Sequence, residues 1–333
     1  MFVIDAHLDL AYNALRGREV TKPANDQKSD GEDTPSVGIP DLRAGNVGLI
    51  CGTIFCEPKD VPIIGYTTPE QAAAVARKQL DWYWDRHRAA DLTIVQSRGD
   101  LPADLSDPVG PPRVIILLEG ADALISPSDL TAWFESGLRA IGMAWGKTRY
   151  AGGTRAPGPL TEIGVELARE MDKLGVIHDA SHLAEESFWQ LMDLATGPVM
   201  ASHSNCRAIV PTDRQLSDEM IKAIGKRDGV IGINYFDRFL LPPEEFGKRR
   251  ATLADVVRHV RHMCDLIGDA RHVGIGTDMD GGLGRESIPE EILTSADLPK
   301  TGDALSAAGL GDDDVRGILG GNWLEFFHRS LPR

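Results

Sequence analysis

Short apolar runs rich in Val, Ile and Gly recur along the chain, and segments with helical periodicity separate them. Continuous apolar runs of this length are typical of strands that are buried on both faces, as in a parallel sheet. The pattern predicts strands at 2–6, 48–55, 113–118, 140–144, 176–181, 199–202, 230–234 and 272–277.

The segments between these runs predict helices. In 251–268, apolar residues recur with the i, i+3, i+4, i+7 spacing that places them on one helix face. The other predicted helices lie at 69–88, 128–137, 162–174, 184–195 and 216–227, with more helix in 303–329.

Alternation of these strands and helices predicts an α/β protein with a closed (β/α)₈ TIM barrel, because closure removes the sheet edges and helices cover the strands. An open doubly wound sheet is the alternative, although no GxGxxG or GxxxxGK[ST] motif supports its nucleotide-binding forms. We expect residues 1–333 to form a single barrel domain with a loop insertion at about 11–46. The polar stretch 17–40 of this insertion is either a lid or a plain surface loop.

Composition limits the partners and the location. The 333 residues are 42% hydrophobic and 26% charged, and 35 basic against 50 acidic residues give a net charge of −15. This charge repels phosphate backbones and anionic membrane surfaces, so we expect no nucleic acid and no membrane as partners. The sequence also shows no apolar run long enough for a membrane span and no basic start of a secretory signal. Four cysteines without CxxC spacing fit a reducing cytoplasm.

Titratable residues follow several predicted strands at the point where the chain leaves them. In a (β/α)₈ barrel these carboxyl ends form one rim, and the rim carries the chemistry. Imidazoles and carboxylates bind divalent cations and transfer protons. The sequence therefore predicts a catalytic metal site, with His7, Asp9, Glu119, His182 and His203 as metal ligands and Asp278 as an acid–base residue.

The types and spacing of five of these residues indicate how they bind metal. His7 and Asp9 are two positions apart, so both side chains of an extended strand reach one ion. Glu119 has two oxygens and can bridge two cations at the spacing of a dinuclear hydrolase. His182 and His203 are imidazoles that suit Zn²⁺ when they are neutral.

The remaining predictions near the rim concern proton transfer and support. Asp278 is expected to take a proton from a metal-activated water molecule and pass it to a leaving group, with Asp280 as a competitor for this role. Asp5, deeper on the first strand, is expected to support a ligand by hydrogen bonding. His178 is interpreted as a polar residue of the barrel interior, and Tyr235 as a residue that lines the mouth of the site.

Several short motifs, in this order and spacing, resemble the membrane dipeptidase (renal dipeptidase) family, a branch of the amidohydrolase-like (β/α)₈ barrels. The resemblance covers nearly the whole chain. The motifs are IDAHLDL at 4–10, DLRAG at 41–45 with VG at 47–48, LEG at 118–120, DASH at 179–182, SHSN at 202–205, GIGTDMDG at 274–281 and GGN at 320–322.

The resemblance implies a cofactor of two Zn²⁺ ions, with another divalent metal as an alternative. One ion would be held by His7 and Asp9 and the other by His182 and His203, with Glu119 bridging. It further implies hydrolysis of dipeptides, with tolerance for a D-residue on the C-terminal side.

An arginine after the sixth strand would bind the free carboxylate of the substrate, as this resemblance implies. Arg214 occupies the matching position, and Arg207 is a competitor closer to His203 in the sequence. A guanidinium recognises a carboxylate through two parallel hydrogen bonds, which would limit substrates to the length of a dipeptide.

One position departs from the family. At the end of the fourth strand the family usually carries a histidine that contacts the scissile carbonyl, whereas this chain has Trp145. An indole offers one N–H donor and no positive charge, so it stabilises a developing oxyanion less well. Losing one such donor costs on the order of 10²–10³ in rate unless Lys147, Arg149 or a metal compensates. We expect Trp145 to contact the substrate and to alter its identity.

The sequence therefore predicts a cytoplasmic dinuclear zinc dipeptidase that acts on a small-molecule dipeptide, and it leaves a homodimer open. One alternative is a related metal-dependent amidohydrolase that acts on another amide, a lactam or an N-acyl amino acid. The other is a metal-binding protein with little catalysis. Asp278 argues against this second alternative, because a purely structural metal site does not need it.

Overall fold

A computed structural model of the chain describes residues 2–29, 33–59, 61–106 and 110–333. Its strands are β1 Val3–Leu8, β2 Val47–Phe55, β3 Thr93–Ile94, β4 Arg113–Glu119, β5 Leu138–Gly142, β6 Ala151–Gly153, β7 Ala156–Leu160, β8 Ile177–Asp179, β9 Val199–Met200, β10 Ile231–Ile233 and β11 Val273–Ile275.

Helices follow most of the strands and cover the outside of the sheet. They are α1 Leu10–Leu15, α2 Ile39–Ala44, α3 Pro69–Arg88, α4 Leu130–Glu135, α5 Glu162–Leu174, α6 Glu185–Leu194, α7 Asp218–Lys226, α8 Asp237–Leu240, α9 Leu253–Ile267, α10 Lys300–Ala307, α11 Asp312–Arg316 and α12 Asn322–Ser330. Among the described helices, none is both long and apolar enough to cross a membrane.

The main sheet is a parallel barrel. Its strands run in the order β10-β11-β1-β2-β4-β5-β8-β9, and β3 pairs in parallel with the first residues of β4. A parallel bridge between Ala201 and Ile231 brings the two ends of this order together. Each predicted strand overlaps one strand of this ring, so the prediction of a (β/α)₈ TIM barrel is confirmed.

The barrel interior is a packed apolar core in its lower half. Leu49 and Cys51 of β2 and Ile115 and Leu117 of β4 point inward and belong to one buried cluster. Helix α12 adds Trp323 to the same cluster, and the Trp323 indole donates a hydrogen bond to the carbonyl of Ile275, 2.9 Å away. The C-terminal helix thus packs against the lower end of the barrel, where β1 begins.

The stretch predicted as a loop insertion at about 11–46 contains helices α1 and α2. It is fastened to the rim by the buried carboxylate of Asp280. This carboxylate accepts hydrogen bonds from the backbone N–H groups of Ser36 and Val37 and from the Ser36 hydroxyl, and it pairs with Arg18 at 3.3 Å. Arg18, Ser36 and Val37 of the insertion are therefore held against the barrel.

Candidate active site

Glu119, the last residue of β4, lies between two groups of ligand atoms. Its Oε2 is 3.6 Å from His7 Nε2. Its Oε1 is 3.0 Å from His182 Nε2 and 3.5 Å from His203 Nε2. The two oxygens of one carboxylate therefore face different imidazoles, as a bridging ligand requires.

The first group forms around His7. His7 Nε2 is 3.9 Å from Asp9 Oδ2 and 3.9 Å from Asp278 Oδ1. The second group consists of His182 and His203, whose Nε2 atoms are 3.0 Å apart. The other five residues predicted for the site, His7, Asp9, His182, His203 and Asp278, thus lie around Glu119 at one end of the barrel.

The electrostatics of the first group favour a positive charge at its centre. Burial by itself lowers the pKa of His7, but the charges of Glu119, Asp9 and Asp278 outweigh burial and raise this pKa to about 10. Burial also raises the pKa of Asp278 to about 7 and that of Asp9 to about 6. The clustered carboxylates repel one another, so a cation between them relieves the repulsion.

The second group favours neutral imidazoles. Burial and the nearby charge of Arg214 lower the pKa of His182 to about 4. Burial, together with the charges of His7 and Arg214, lowers the pKa of His203 well below its usual value. A neutral imidazole offers a lone pair to a metal ion, whereas an imidazolium offers none.

The donor set therefore fits divalent metal ions. Within the described part of the chain, His7 Nε2 is buried and makes no hydrogen bond. The candidate ligand atoms of His7, Glu119 and His203 all lie within 4.8 Å of one another, and so do those of His7, Asp9 and Asp278. Nitrogen and carboxylate ligands in this proportion are typical of zinc sites in hydrolases.

Two of the candidate residues, His182 and Asp278, have a strained backbone conformation. His182 has a φ of 66° and Asp278 a φ of 61°, in the left-handed region that non-glycine residues seldom adopt. Such positions cost about 1–3 kcal/mol and often occur at functional sites. Gly281 fits the same turn, because a Cβ there would lie 2.0 Å from the Asp278 carboxylate.

Small polar residues that the sequence did not single out support the ligands. Thr53 donates a short hydrogen bond to Asp9, and the Thr154 hydroxyl lies 3.0 Å from His182 Nδ1. Asn234 donates from its side-chain amide to Asp278 Oδ2 at 2.9 Å. The Ser202 hydroxyl lies within hydrogen-bond distance of Nδ1 of His7 and Nδ1 of His203. These residues carry no periodic signal in the sequence, because they contribute neither to the core nor to an apolar face.

A cavity of about 540 Å³ opens above the ligands. Trp145 lines it and is 37% exposed. The Trp145 ring lies 5.4 Å from that of Phe55 and 6.1 Å from that of His182, measured between centroids. Tyr12, Phe236 and Phe239 add further aromatic surface. The cavity therefore combines a polar floor with aromatic walls.

The structure distinguishes the two arginines. Arg214 lines the cavity and is buried, and it donates to the Ser204 hydroxyl at 3.1 Å and to the His203 carbonyl at 2.7 Å. Arg207 instead pairs with Glu185 at 2.5 Å, outside the lining of this cavity. Arg149 donates to backbone carbonyls at 2.6 and 3.1 Å. Of the residues that the structure describes around the cavity, neither Arg149 nor Lys147 lines it.

Three residues lie elsewhere than the sequence suggested. The Tyr235 side chain is fully buried, its hydroxyl is 2.7 Å from that of Thr301, and it does not line the described cavity. Asp280 holds the insertion and leaves Asp278 as the carboxylate of this turn that faces the cavity. His178 faces outward and bonds to Asp172 of α5 at 2.8 Å, so its assignment to the barrel interior is wrong.

The position of Asp5 matches a supporting role. Its Oδ1 accepts hydrogen bonds from the backbone N–H groups of His7 at 3.2 Å and Thr277 at 2.8 Å. Its Oδ2 accepts from the Thr277 hydroxyl at 2.6 Å. The carboxylate thus connects the strand that carries His7 to the turn that carries Asp278.

Comparisons with known proteins show the family to which the chain belongs. A family model for the membrane dipeptidases, peptidase family M19, matches residues 1–330. The crystal structure of dipeptidase AC, a metallopeptidase of family M19, has a TM-score of 0.85 at 27% identity and covers 100% of this chain and 99% of its own. A Rhodobacter sphaeroides metallopeptidase, liganded with a phosphinate mimic of the dipeptide L-Ala-D-Ala, has a TM-score of 0.84 at 26% identity and covers 99% of both chains.

A curated relative extends the match at the level of sequence. It is an uncharacterised Klebsiella pneumoniae protein from the pqqA 5′ region, and it is 31% identical over 250 residues, or 72% of this chain and 89% of its own length. The chain belongs to the membrane dipeptidase family, peptidase family M19, whose members are metallopeptidases, and it is a hydrolase of peptide bonds.

Proposed function

We propose that the chain hydrolyses dipeptides at a centre of two zinc ions. His7 and Asp9 would hold one ion, His182 and His203 the other, and Glu119 would bridge them. The observation that carries this proposal is that the two oxygens of Glu119 face different histidines. Oε2 lies toward His7, and Oε1 lies toward His182 and His203. When bound, two such ions polarise the scissile carbonyl and lower the pKa of a water molecule.

Asp278 moves the proton in this scheme. Asn234 donates to its Oδ2, which leaves Oδ1 directed toward the ligand group around His7. Oδ1 takes the proton released by the attacking water and delivers it to the nitrogen of the departing amine. Its position in a strained turn, with Gly281 giving it room, keeps the carboxylate at this point.

Arg214 would bind the free carboxylate of the dipeptide. Two of its nitrogens are held by Ser204 and His203, so the guanidinium is fixed before a substrate arrives. Within the described residues, its buried Nε makes no hydrogen bond. A fixed cation at the wall of the cavity orients the peptide bond relative to the ions and loses little side-chain entropy on binding.

The proposal includes tolerance for a D-residue on the C-terminal side. Support comes from the related Rhodobacter sphaeroides enzyme, whose ligand is a mimic of L-Ala-D-Ala. The test compares hydrolysis of L-Ala-D-Ala and L-Ala-L-Ala by the purified chain. Cleavage of the L,L dipeptide alone would contradict this part of the proposal.

Metal analysis tests the centre itself. Purified chain incubated with zinc and then desalted should hold about two zinc ions per chain by elemental mass spectrometry. Removal of the ions with a chelator should abolish hydrolysis, and added zinc should restore it. A chain that retains no zinc would refute the dinuclear centre.

The variant Asp278→Asn separates proton transfer from metal binding. An amide keeps the shape of the side chain but cannot accept and return a proton, so kcat should fall by about 10²–10⁴-fold. The metal content should change little, because Asp278 is not one of the proposed ligands. An unchanged kcat would assign the proton transfer to another group.

We also propose a cytoplasmic location for the chain. Its four cysteines, Cys51, Cys56, Cys206 and Cys264, are all free thiols in the structure. Free thiols persist where the surroundings are reducing. Cell fractionation with antibody detection tests this location, and recovery with an extracytoplasmic fraction would contradict it.

A further inference from the structure

One buried hydroxyl contacts both groups of proposed ligands. Ser202 Oγ lies 2.7 Å from Nδ1 of His203 and 3.2 Å from Nδ1 of His7. It also donates a hydrogen bond to Asp179 Oδ2 at 2.6 Å. Ser202 and His7 are fully buried, and His203 and Asp179 are nearly so.

Counting protons gives the direction of each of these hydrogen bonds. A hydroxyl has one proton to donate and two lone pairs that accept. An ionised carboxylate only accepts, and Asp179 Oδ1 already accepts from the backbone N–H groups of Ser181 at 3.0 Å and Ser202 at 2.9 Å. The hydroxyl proton of Ser202 is therefore used by Asp179 Oδ2. Both imidazole Nδ1 atoms must then donate into the two lone pairs of Ser202.

A competing acceptor is present but weaker. Ser202 Oγ lies 3.4 Å from Ser181 Oγ, which is a neutral hydroxyl. The carboxylate contact is shorter by 0.8 Å, the difference between 3.4 and 2.6 Å. It is also charge-assisted, and such hydrogen bonds are roughly twice as strong as neutral ones.

We infer that the pair Ser202–Asp179 fixes the Nδ1–H form of His7 and His203 together, so that both Nε2 atoms are turned as metal acceptors toward Glu119. Ser202 and Asp179 are positioning residues, since neither contacts the proposed substrate cavity. The inference rests on the proposed function, in which His7 and His203 serve different ions. One serine then sets the ligand atoms of both ions at once.

The variant Asp179→Asn should reverse the direction of the hydrogen bond between residue 179 and Ser202 Oγ, and with it the direction of one hydrogen bond between Ser202 and a histidine. The Asn Oδ1 would keep the two backbone N–H groups, so its amide NH₂ would face Ser202 Oγ and donate to it. The hydroxyl must then donate its own proton to one Nδ1. A neutral histidine that accepts at Nδ1 carries its proton on Nε2, and that nitrogen cannot bind a metal.

A measurement of zinc affinity tests whether the Asp179→Asn variant has lost one Nε2 ligand. In a competition titration with a chromophoric chelator, Asp179→Asn should bind one zinc ion with about 10–100-fold weaker affinity and the other with nearly unchanged affinity. Ser202→Ala should weaken both ions, because it removes the acceptor of both Nδ1–H groups. Circular dichroism shows whether each variant is folded.

Nitrogen-15 NMR of the metal-free chain with labelled histidine gives a readout that does not depend on zinc. Wild-type His203 should show a protonated Nδ1 and a bare Nε2, and Ser202→Ala should lose this preference. The matched control is Ser181→Ala. Ser181 is also buried and bonds to the backbone N–H of His203, but it contacts no ring nitrogen. This control should keep the tautomer of His203.

The outcomes separate the inference from the proposed function. A wild-type His203 protonated at Nε2, or a folded Asp179→Asn variant that binds both zinc ions as tightly as the wild type, would overturn the inference. A wild type with the Nδ1–H form at His203 but no zinc binding would refute the proposed centre and leave the hydrogen-bond assignment standing.

Discussion

Trp145 lies beside the ligands at the edge of the cavity, with its ring near His182 and Phe55. An indole at this position presents a large apolar surface and one N–H donor to a bound substrate. The side chain therefore shapes the wall of the cavity more than it stabilises charge. We expect the identity of the substrate to depend on this side chain, because it lines the cavity.

The substitution Trp145→His should raise the hydrolysis of dipeptides. An imidazole next to the scissile carbonyl can donate to the developing oxyanion, and one such donor is worth up to about 10²–10³ in rate. The measurement is kcat/KM for L-Ala-D-Ala. The control Trp145→Phe keeps an aromatic ring without an N–H and should give no increase. A histidine variant no faster than the wild type would show that this position does not act on the carbonyl.

The proposed ligands could be predicted from the sequence because each follows an apolar run that ends at the rim. Their partners could not. Asp179 and Ser202 lie within the DASH and SHSN motifs, but their hydrogen bonds, like that of Asn234 to Asp278, leave no spacing or periodicity that predicts a supporting role. Strand β8 ends at Asp179, and His182 lies in a turn with positive φ. The spacing of four residues between His178 and His182, which predicts one shared face on a regular strand, therefore does not apply here, and His178 faces Asp172 of α5.

At the scale of elements, one carboxylate connects three parts of the fold. Asp172 of α5 accepts hydrogen bonds from His178 of β8 at 2.8 Å and from the backbone of Thr196 at 2.8 Å and Gly197 at 2.9 Å, just before β9. Partial burial would raise the pKa of Asp172, but the hydrogen bonds from His178, Thr196 and Gly197 outweigh it and lower the pKa well below 3.8. The folded chain thus favours the ionised form of the Asp172 carboxyl group.

The variant Asp172→Asn should lower the free energy of unfolding by about 2 kcal/mol near neutral pH, because an amide cannot accept all of these hydrogen bonds. A pKa that is lower in the folded than in the unfolded chain stabilises the fold above the unfolded value of 3.8. The contribution is lost as the pH falls from there through the folded pKa. Urea denaturation of both proteins at about pH 7 and about pH 3 should show a smaller difference at the lower pH.

The control for this experiment lies on the same helix. Glu170 of α5 pairs with Lys173 at the surface, and an exposed pair of this kind contributes little. Glu170→Gln should therefore leave the free energy of unfolding nearly unchanged. If Asp172→Asn costs no more than this control, the carboxylate does not connect the elements as described.

The prediction of elements failed where local signals were weak. Strand β7 reads Ala-Pro-Gly-Pro-Leu, and prolines and glycine are depleted in strands. It forms only because it pairs antiparallel with β6, from Ala151 opposite Leu160 to Gly153 opposite Ala156. The insertion gave no sign of helices α1 and α2, which are six residues each. Helices this short are stabilised by tertiary contacts rather than by propensity.

At the scale of the whole molecule, the core of the barrel depends on the C-terminal helix. Trp323 is fully buried, and its ring stacks with that of Phe327 at 5.5 Å between centroids. The barrel strands and α12 therefore form one apolar core and should unfold together.

Trp323→Ala should lower the free energy of unfolding by about 3–5 kcal/mol, because it leaves a large cavity in this core. Chemical denaturation followed by circular dichroism measures the change. Trp189→Ala, which truncates a half-buried tryptophan on α6, should cost less. A loss at Trp323 no larger than at Trp189 would show that α12 is not part of the cooperative core.

The contacts of β1 also have a consequence for biosynthesis. Asp5 pairs with Ile275, and Phe2 and Ile4 share a cluster with Trp323. A ribosome makes β1 before the other strands, yet its partners from β11 and α12 emerge only after about 270 further residues have been made. Contacts this distant in sequence carry a cost in loop-closure entropy before they stabilise the chain. The barrel therefore closes late, and the nascent strands leave the exit tunnel with apolar surface that a chaperone can bind.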